Sequence, residues 1–218
     1  MSVSRIRALL LACVLMAAAP AAFAGAQIYE PLSASVRAAL NKAISDQAVP
    51  YLAFQTEAEA RAWLTVMSAR LAKRMPDQVA REEFLVTVHY EAKRAGLDPQ
   101  LVLGLIQVES AFRKYAVSTA GARGYMQVMP FWVKLIGGPD SDHNLFHLRT
   151  NLRYGCTILR HYLDIEQGDL FRALGRYNGS LGRAPYPNSV LEAWNANWSF
   201  PPRTAGVAPE RQVIAAAM

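Results

Sequence analysis

The chain has 218 residues, 52% hydrophobic and 18% charged, with 23 Lys and Arg against 17 Asp and Glu and a formal net charge of +6. That length and apolar content hold one domain with a sizeable core and exclude a disordered, collagen-like or low-complexity chain. Two cysteines exclude a disulfide scaffold and a multi-thiolate zinc site, and charge alone does not choose among nucleic acid, an anionic membrane and an acidic polymer.

The first element is an export signal over residues 1–26. Arg5 and Arg7 precede an apolar run over residues 8–19, followed by Pro20 and the small-residue sites Ala22-Phe23-Ala24 and Ala24-Gly25-Ala26. A basic start, a short apolar core and an A-x-A site predict cleavage near Ala24 or Ala26 and an exported, periplasmic protein. The run is shorter than the roughly 20 residues a membrane span needs. Cys13, after Leu10-Leu11-Ala12, offers lipidation as the weaker reading, because Leu11 is large and the apolar run continues past it. Cleavage also leaves a single cysteine, Cys156. Leu152, Cys156, Leu159 and Leu163 share one helical face, which makes Cys156 a core residue.

Residues 27–50 hold a short helix and a linker. Residues 54–75 and 79–95 read as helices, the first ending at Met75-Pro76 and the second stopped by Gly96. Asp98-Pro99 opens the next helix as N-cap and first-turn proline, and Leu101, Leu105, Val108 and Phe112 form its apolar face. Residues 137–140 are a loop, and residues 151–163 and 169–177 are helical. No run of alternating apolar residues marks a strand, so the chain is expected to be mainly α. Its expected organisation is an N-terminal helical region over residues 27–85, a second helical domain over residues 86–198 and a mobile tail over residues 199–218.

Glu109 does not fit its surroundings. It ends the apolar stretch over residues 101–108, four residues after Leu105 and three after Ile106, and so shares their buried side. A carboxyl in apolar surroundings has its pKa raised and serves as a general acid, as glycosidic cleavage requires. The helix alone leaves a solvated helix-end glutamate open. Asp164, Glu166 and Asp169 read as solvated helix-end charges. Asp140, Asp142, His143 and His147 form no recognised ligand pattern, and neither a metal nor a cofactor is expected. His89 and His161 read as partly buried or surface residues. Trp63, Trp132, Trp194 and Trp198 read as core or groove packing, with no nucleic-acid motif beside the basic charge.

Three motifs follow one another: Glu109-Ser110-Ala111-Phe112, then the segment over residues 116–130 with Ser118, Gly121, Gly124, Met126-Gln127 and Met129-Pro130, then Tyr177-Asn178. In type and order they resemble the SLT-type lytic transglycosylases, which belong to the goose-lysozyme-like glycosidases of glycoside hydrolase family 23 and cleave peptidoglycan. The resemblance covers roughly residues 86–196. It implies a lysozyme-like helical fold and makes Glu109-Ser110 the catalytic pair. It assigns Ser118, Met126, Gln127 and Met129 to the saccharide groove. Asn151, Leu152 and Gly155 match the helix that follows, and Tyr177-Asn178 match the tyrosine motif beside the acid.

Two positions depart from the family pattern. Gly179 comes one place early after Tyr177-Asn178, and Tyr125 replaces the commoner aliphatic residue before Met126-Gln127, where it lines the groove or packs. The implied mechanism has Glu109 protonate the β-1,4 oxygen between N-acetylmuramic acid and N-acetylglucosamine. The carboxylate then takes the C6 hydroxyl proton as a 1,6-anhydro ring closes. The resemblance, not the spacing, favours this over a water-using muramidase. A non-catalytic glycan-binding assembly protein is a further alternative. Expected partners are peptidoglycan strands, with no nucleic acid, envelope proteins through the N-terminal region, and no second copy.

Overall fold

The structure is a computed structural model that describes residues 27–137 and 141–200. The export signal with Cys13, the loop positions Gly138-Pro139-Asp140 and residues 201–218 of the expected tail lie outside the described residues.

The described chain is helical, as its composition predicts. In order come α1 (Ala34–Ile44), α2 (Glu57–Leu71), α3 (Gln78–Arg94), α4 (Pro99–Ser110), α5 (Phe131–Ile136), a 3-10 turn (Asp142–Phe146), α6 (Leu148–Ile165), α7 (Leu170–Asn178) and α8 (Pro185–Ala193). A π-helical turn (Trp194–Trp198) closes the series. Local chemistry sets the starts. Thr56, Asp77, Asp98 and Asp169 each accept a main-chain N–H of the helix that follows, satisfying donors a first turn leaves open.

Several bounds differ from the sequence expectation. The helix expected over residues 54–75 is only α2, because Thr56 caps it and Pro76 follows a turn. α6 begins three residues before Asn151 and continues two past Leu163. α7 starts one residue after Asp169, which is its cap. Gly179, the early glycine, adopts φ +77 as the left-handed C-cap of α7, so its position ends that helix cleanly. Glu166 is no solvated charge: Arg172 and Arg176 both grip its carboxylate, whose side chain is largely covered. Neighbouring Asp164 stays exposed and pairs with Arg160.

α4 is the centre. Pro99 and residues 101–106 are buried nearly all round, with Glu109 and Ser110 at its end, as expected of a helix enclosed by others. α3, α8 and the π turn pack against it, while α6 lies on α3 and α7. The core joins Leu40, Ile44, Trp63, Met67 and Leu71 of the first two helices to Leu103, Leu105, Ile106, Leu152 and Cys156. α3 runs unbroken through residues 85 and 86, the expected boundary, so both regions share one helix and one core.

Buried charge docks α1. Glu91 on α3 is 0% exposed and meets Arg153 at 2.8 Å, Arg94 at 2.9 Å and Arg149 at 3.5 Å. The same guanidiniums donate to carbonyls at or just past the end of α1: Arg94 to Ala43, Arg153 to Ile44 and Asp46, Arg149 to Ala48. Cations at a helix C-terminus oppose its negative dipole end and satisfy its last carbonyls.

Candidate active site

Glu109 sits in the last turn of α4 and is 2% exposed. Its Oε1 accepts the hydroxyl of Tyr186, on the first turn of α8, at 2.5 Å. Burial, and after it the Glu109 charge, push the Tyr186 hydroxyl well above the ordinary phenol range, so it remains a donor. Burial and the same charge act on Tyr177 in the same direction. The phenol hydroxyl thus fixes the position of the Glu109 Oε1 atom.

Beyond Ser110 the helix stops abruptly. Ala111 and Phe112 take φ of +49 and +66, values uncommon for residues with a side chain. Phe112 is carried into a cluster with Phe84 and Trp198. The loop over residues 113–130 then folds back over the last turn of α4. Ser110 Oγ donates to the Tyr125 carbonyl at 2.7 Å, pinning that loop one residue from Glu109.

Most side chains that the resemblance assigns to the groove hold this loop from within. Gln127, itself at φ +48, donates through Nε2 to the carbonyls of Ala116 and Gly124 at 3.1 and 2.9 Å. Tyr177 donates to the Met126 carbonyl at 2.7 Å. Met126 is buried against Cys156, whose thiol burial pushes far above the ordinary range. Tyr125 packs on Phe84 with ring centroids 4.9 Å apart. Asn178 is buried as well. Ser118 and Met129 are half-buried and present surface; Ser118 Oγ accepts the Ala122 N–H at 3.0 Å across its turn.

Asn151 ties the arrangement together. Its Oδ1 accepts Met126 N–H at 2.8 Å, and its Nδ2 donates to the carbonyls of Arg123 and Leu145 at 2.9 and 2.8 Å. Gly124 stands against it at φ +74, where a Cβ would fall 2.5 Å from the Leu145 oxygen and closer still to the Asn151 amide. Only glycine fits there. Arg123 reaches out to the Asp142 carboxylate at 3.3 Å, so that acid serves an ion pair. Among the described residues no group of three or more His, Cys, Asp and Glu side chains is placed to hold a metal ion.

Tyr186 and Glu91 were not singled out by the sequence reading. Tyr186 heads a face with Val190 and Ala193, all buried, but Pro185 and Pro187 disguise the segment as a turn. Both prolines lie in the first helical turn, where a missing N–H costs nothing.

Residues 87–188 match the family described as the transglycosylase SLT domain. Over that span the chain is similar to an SLT domain. Glu109, Ser110, the folded-back loop, Tyr177 and Tyr186 all lie inside the matched span. Similar curated proteins include the membrane-bound lytic murein transglycosylase C of Haemophilus influenzae (strain PittEE), 33% identical over 48% of this chain and 33% of its own length. That of Histophilus somni (strain 2336) is 35% identical over 48% of this chain and 32% of its own. The chain therefore spans about one third of the length of these relatives. Among solved structures, an inactive mutant of the lytic transglycosylase Slt from Pseudomonas aeruginosa superposes with a TM-score of 0.42 at 23% identity, covering 63% of this chain and 25% of that one. No helix among the described residues is long and apolar enough to cross a membrane.

Proposed function

We propose that this chain is a lytic transglycosylase of the cell envelope that cleaves the β-1,4 bond between N-acetylmuramic acid and N-acetylglucosamine in peptidoglycan. The observation that carries the reading is Glu109, a carboxyl buried at the end of α4 inside the span similar to an SLT domain and oriented by the Tyr186 hydroxyl. The names of the curated relatives agree with it.

Glu109 as acid gives its proton to the glycosidic oxygen, and the bond to C1 breaks. The carboxylate then removes the proton of the muramoyl C6 hydroxyl as that oxygen bonds to C1, leaving a 1,6-anhydro end and a carboxyl restored for the next cycle. One carboxyl in alternating roles suffices. Hydrolases with two catalytic carboxyls place them about 5–9.5 Å apart on either side of the bond. The other fully buried carboxylate, Glu91, is committed to three arginines. Ser118 and Met129 would meet the glycan, whereas Ser110, Tyr125, Met126, Gln127, Tyr177 and Asn178 set the shape of the wall behind them.

The product decides the reading. Purified peptidoglycan digested with the protein and analysed by mass spectrometry is expected to show 1,6-anhydromuramoyl ends. Reducing muramoyl ends in their place would make the protein a water-using muramidase.

A further inference from the structure

Residues 27–32 have no regular structure and run to Ser33, the N-cap of α1. One side chain of this segment turns inward. Gln27 is 4% exposed, whereas Ile28 and Tyr29 are each 59% exposed. Gln27 Oε1 accepts the main-chain N–H of Met129 at 3.4 Å, and its carboxamide faces the Tyr177 hydroxyl. Met129 and Tyr177 belong to the wall of the groove proposed above, and this inference rests on that reading.

A glutamine side chain ends in a primary amide on a methylene, which is chemically an acetamide. Both sugars of peptidoglycan carry an acetamido group, with the same carbonyl acceptor and N–H donor. We propose that residues 27–32 are an intramolecular strap that fills the groove in the absence of glycan, the Gln27 carboxamide occupying the place of a substrate N-acetyl group. A strand must displace the strap to bind.

The anchors suit a strap that lifts. Tyr29 meets Phe131 edge-on at 5.6 Å yet stays mostly in solvent. Glu30 pairs with Arg176 at 3.5 Å on the surface, an interaction that is weak and screened by salt. Leu32, by contrast, packs against the core and forms the fixed end. A site closed for part of the time binds its ligand with an affinity reduced by the open fraction.

Gln27→Ala in the full chain tests this, with lysis of purified peptidoglycan as the assay. If the strap is closed about four-fifths of the time, KM falls about fivefold while kcat stays unchanged. Glu30→Gln, which loosens the surface anchor, lowers KM in the same direction by less. Hydrogen exchange supplies a readout apart from activity: saturating wild-type protein with the hexamer of β-1,4-linked N-acetylglucosamine speeds exchange of the amides of residues 28–32. A KM unchanged or raised in Gln27→Ala, or exchange at residues 28–32 unchanged or slowed by the hexamer, overturns the strap. Wild-type protein that neither lyses peptidoglycan nor binds the hexamer overturns the glycan reading and the strap with it. Lysis and binding by the wild type, matched by Gln27→Ala, overturn the strap alone.

Discussion

Glu91 and Glu109 lie on neighbouring helices, both buried, and differ in what their surroundings offer. Glu91 at the end of α3 meets three guanidiniums, two of which, those of Arg94 and Arg153, go on to hold the last carbonyls of α1. Glu109 at the end of α4 takes a phenol hydroxyl and faces a loop bent back by two left-handed residues. A carboxylate clamped by fixed cations is structural, because giving up its charge would strand them. A carboxyl bonded to a phenol hydroxyl can give up its charge without leaving that donor as an uncompensated cation. Burial alone therefore does not mark a catalytic acid; its partners do.

The largest expected effect on stability falls on the structural member. Glu91→Gln leaves buried Arg153 with only the more distant Asp46 carboxylate, at 3.9 Å, and urea unfolding is expected to show a loss of about 3 kcal/mol. Stability near wild type in that variant would break the contrast.

His89, two residues before Glu91 on α3, gives the next effect. It stacks on Phe54 and abuts Trp63, and burial, then the charge of Lys93, pushes it from 6.5 down to about 4. The unfolded chain takes up this proton first. The stability from keeping His89 neutral is thus complete above about pH 6.5 and is lost as the pH falls toward 4. His89→Phe removes that titration and is expected to flatten the fall in stability across this window by on the order of 2 kcal/mol. Thermal melts of both proteins from pH 7 to pH 4 check it.

Tyr186→Phe acts on the other side of the comparison. It removes one hydroxyl from a packed ring, so stability should fall by only about 1 kcal/mol. Lytic activity is expected to fall by a factor of about ten or more, since Glu109 loses the donor that orients it. Equal losses of stability and activity would instead make Tyr186 a packing residue.

Much of this was legible along the chain. Asp98-Pro99 marked the start of α4, and the apolar phase of Leu105 and Ile106 placed Glu109 on the buried side, where the structure puts it. The same phase argument applies to Glu91, seven residues after Phe84 and three after Val88, yet the phase alone does not distinguish a structural charge from an acid. Its meaning depends on Arg149 and Arg153, which α6 brings from far along the sequence. Tyr186 was hidden by its flanking prolines, and the inward turn of Gln27 depends on Met129, 102 residues away. Capping and periodicity are local and can be read directly. Partnership between distant side chains is a product of the packed helices.

The central claim is that Glu109 is the acid and Glu91 a structural charge, and one measurement tests it directly. Glu109→Gln and Glu91→Gln are compared for peptidoglycan lysis per folded molecule, with the folded fraction taken from the same samples. Glu109→Gln is expected to remain folded and lose activity by a factor of about 1,000 or more, while Glu91→Gln keeps the wild-type rate for whatever fraction folds. A folded Glu109→Gln protein that lyses peptidoglycan at the wild-type rate would contradict the account.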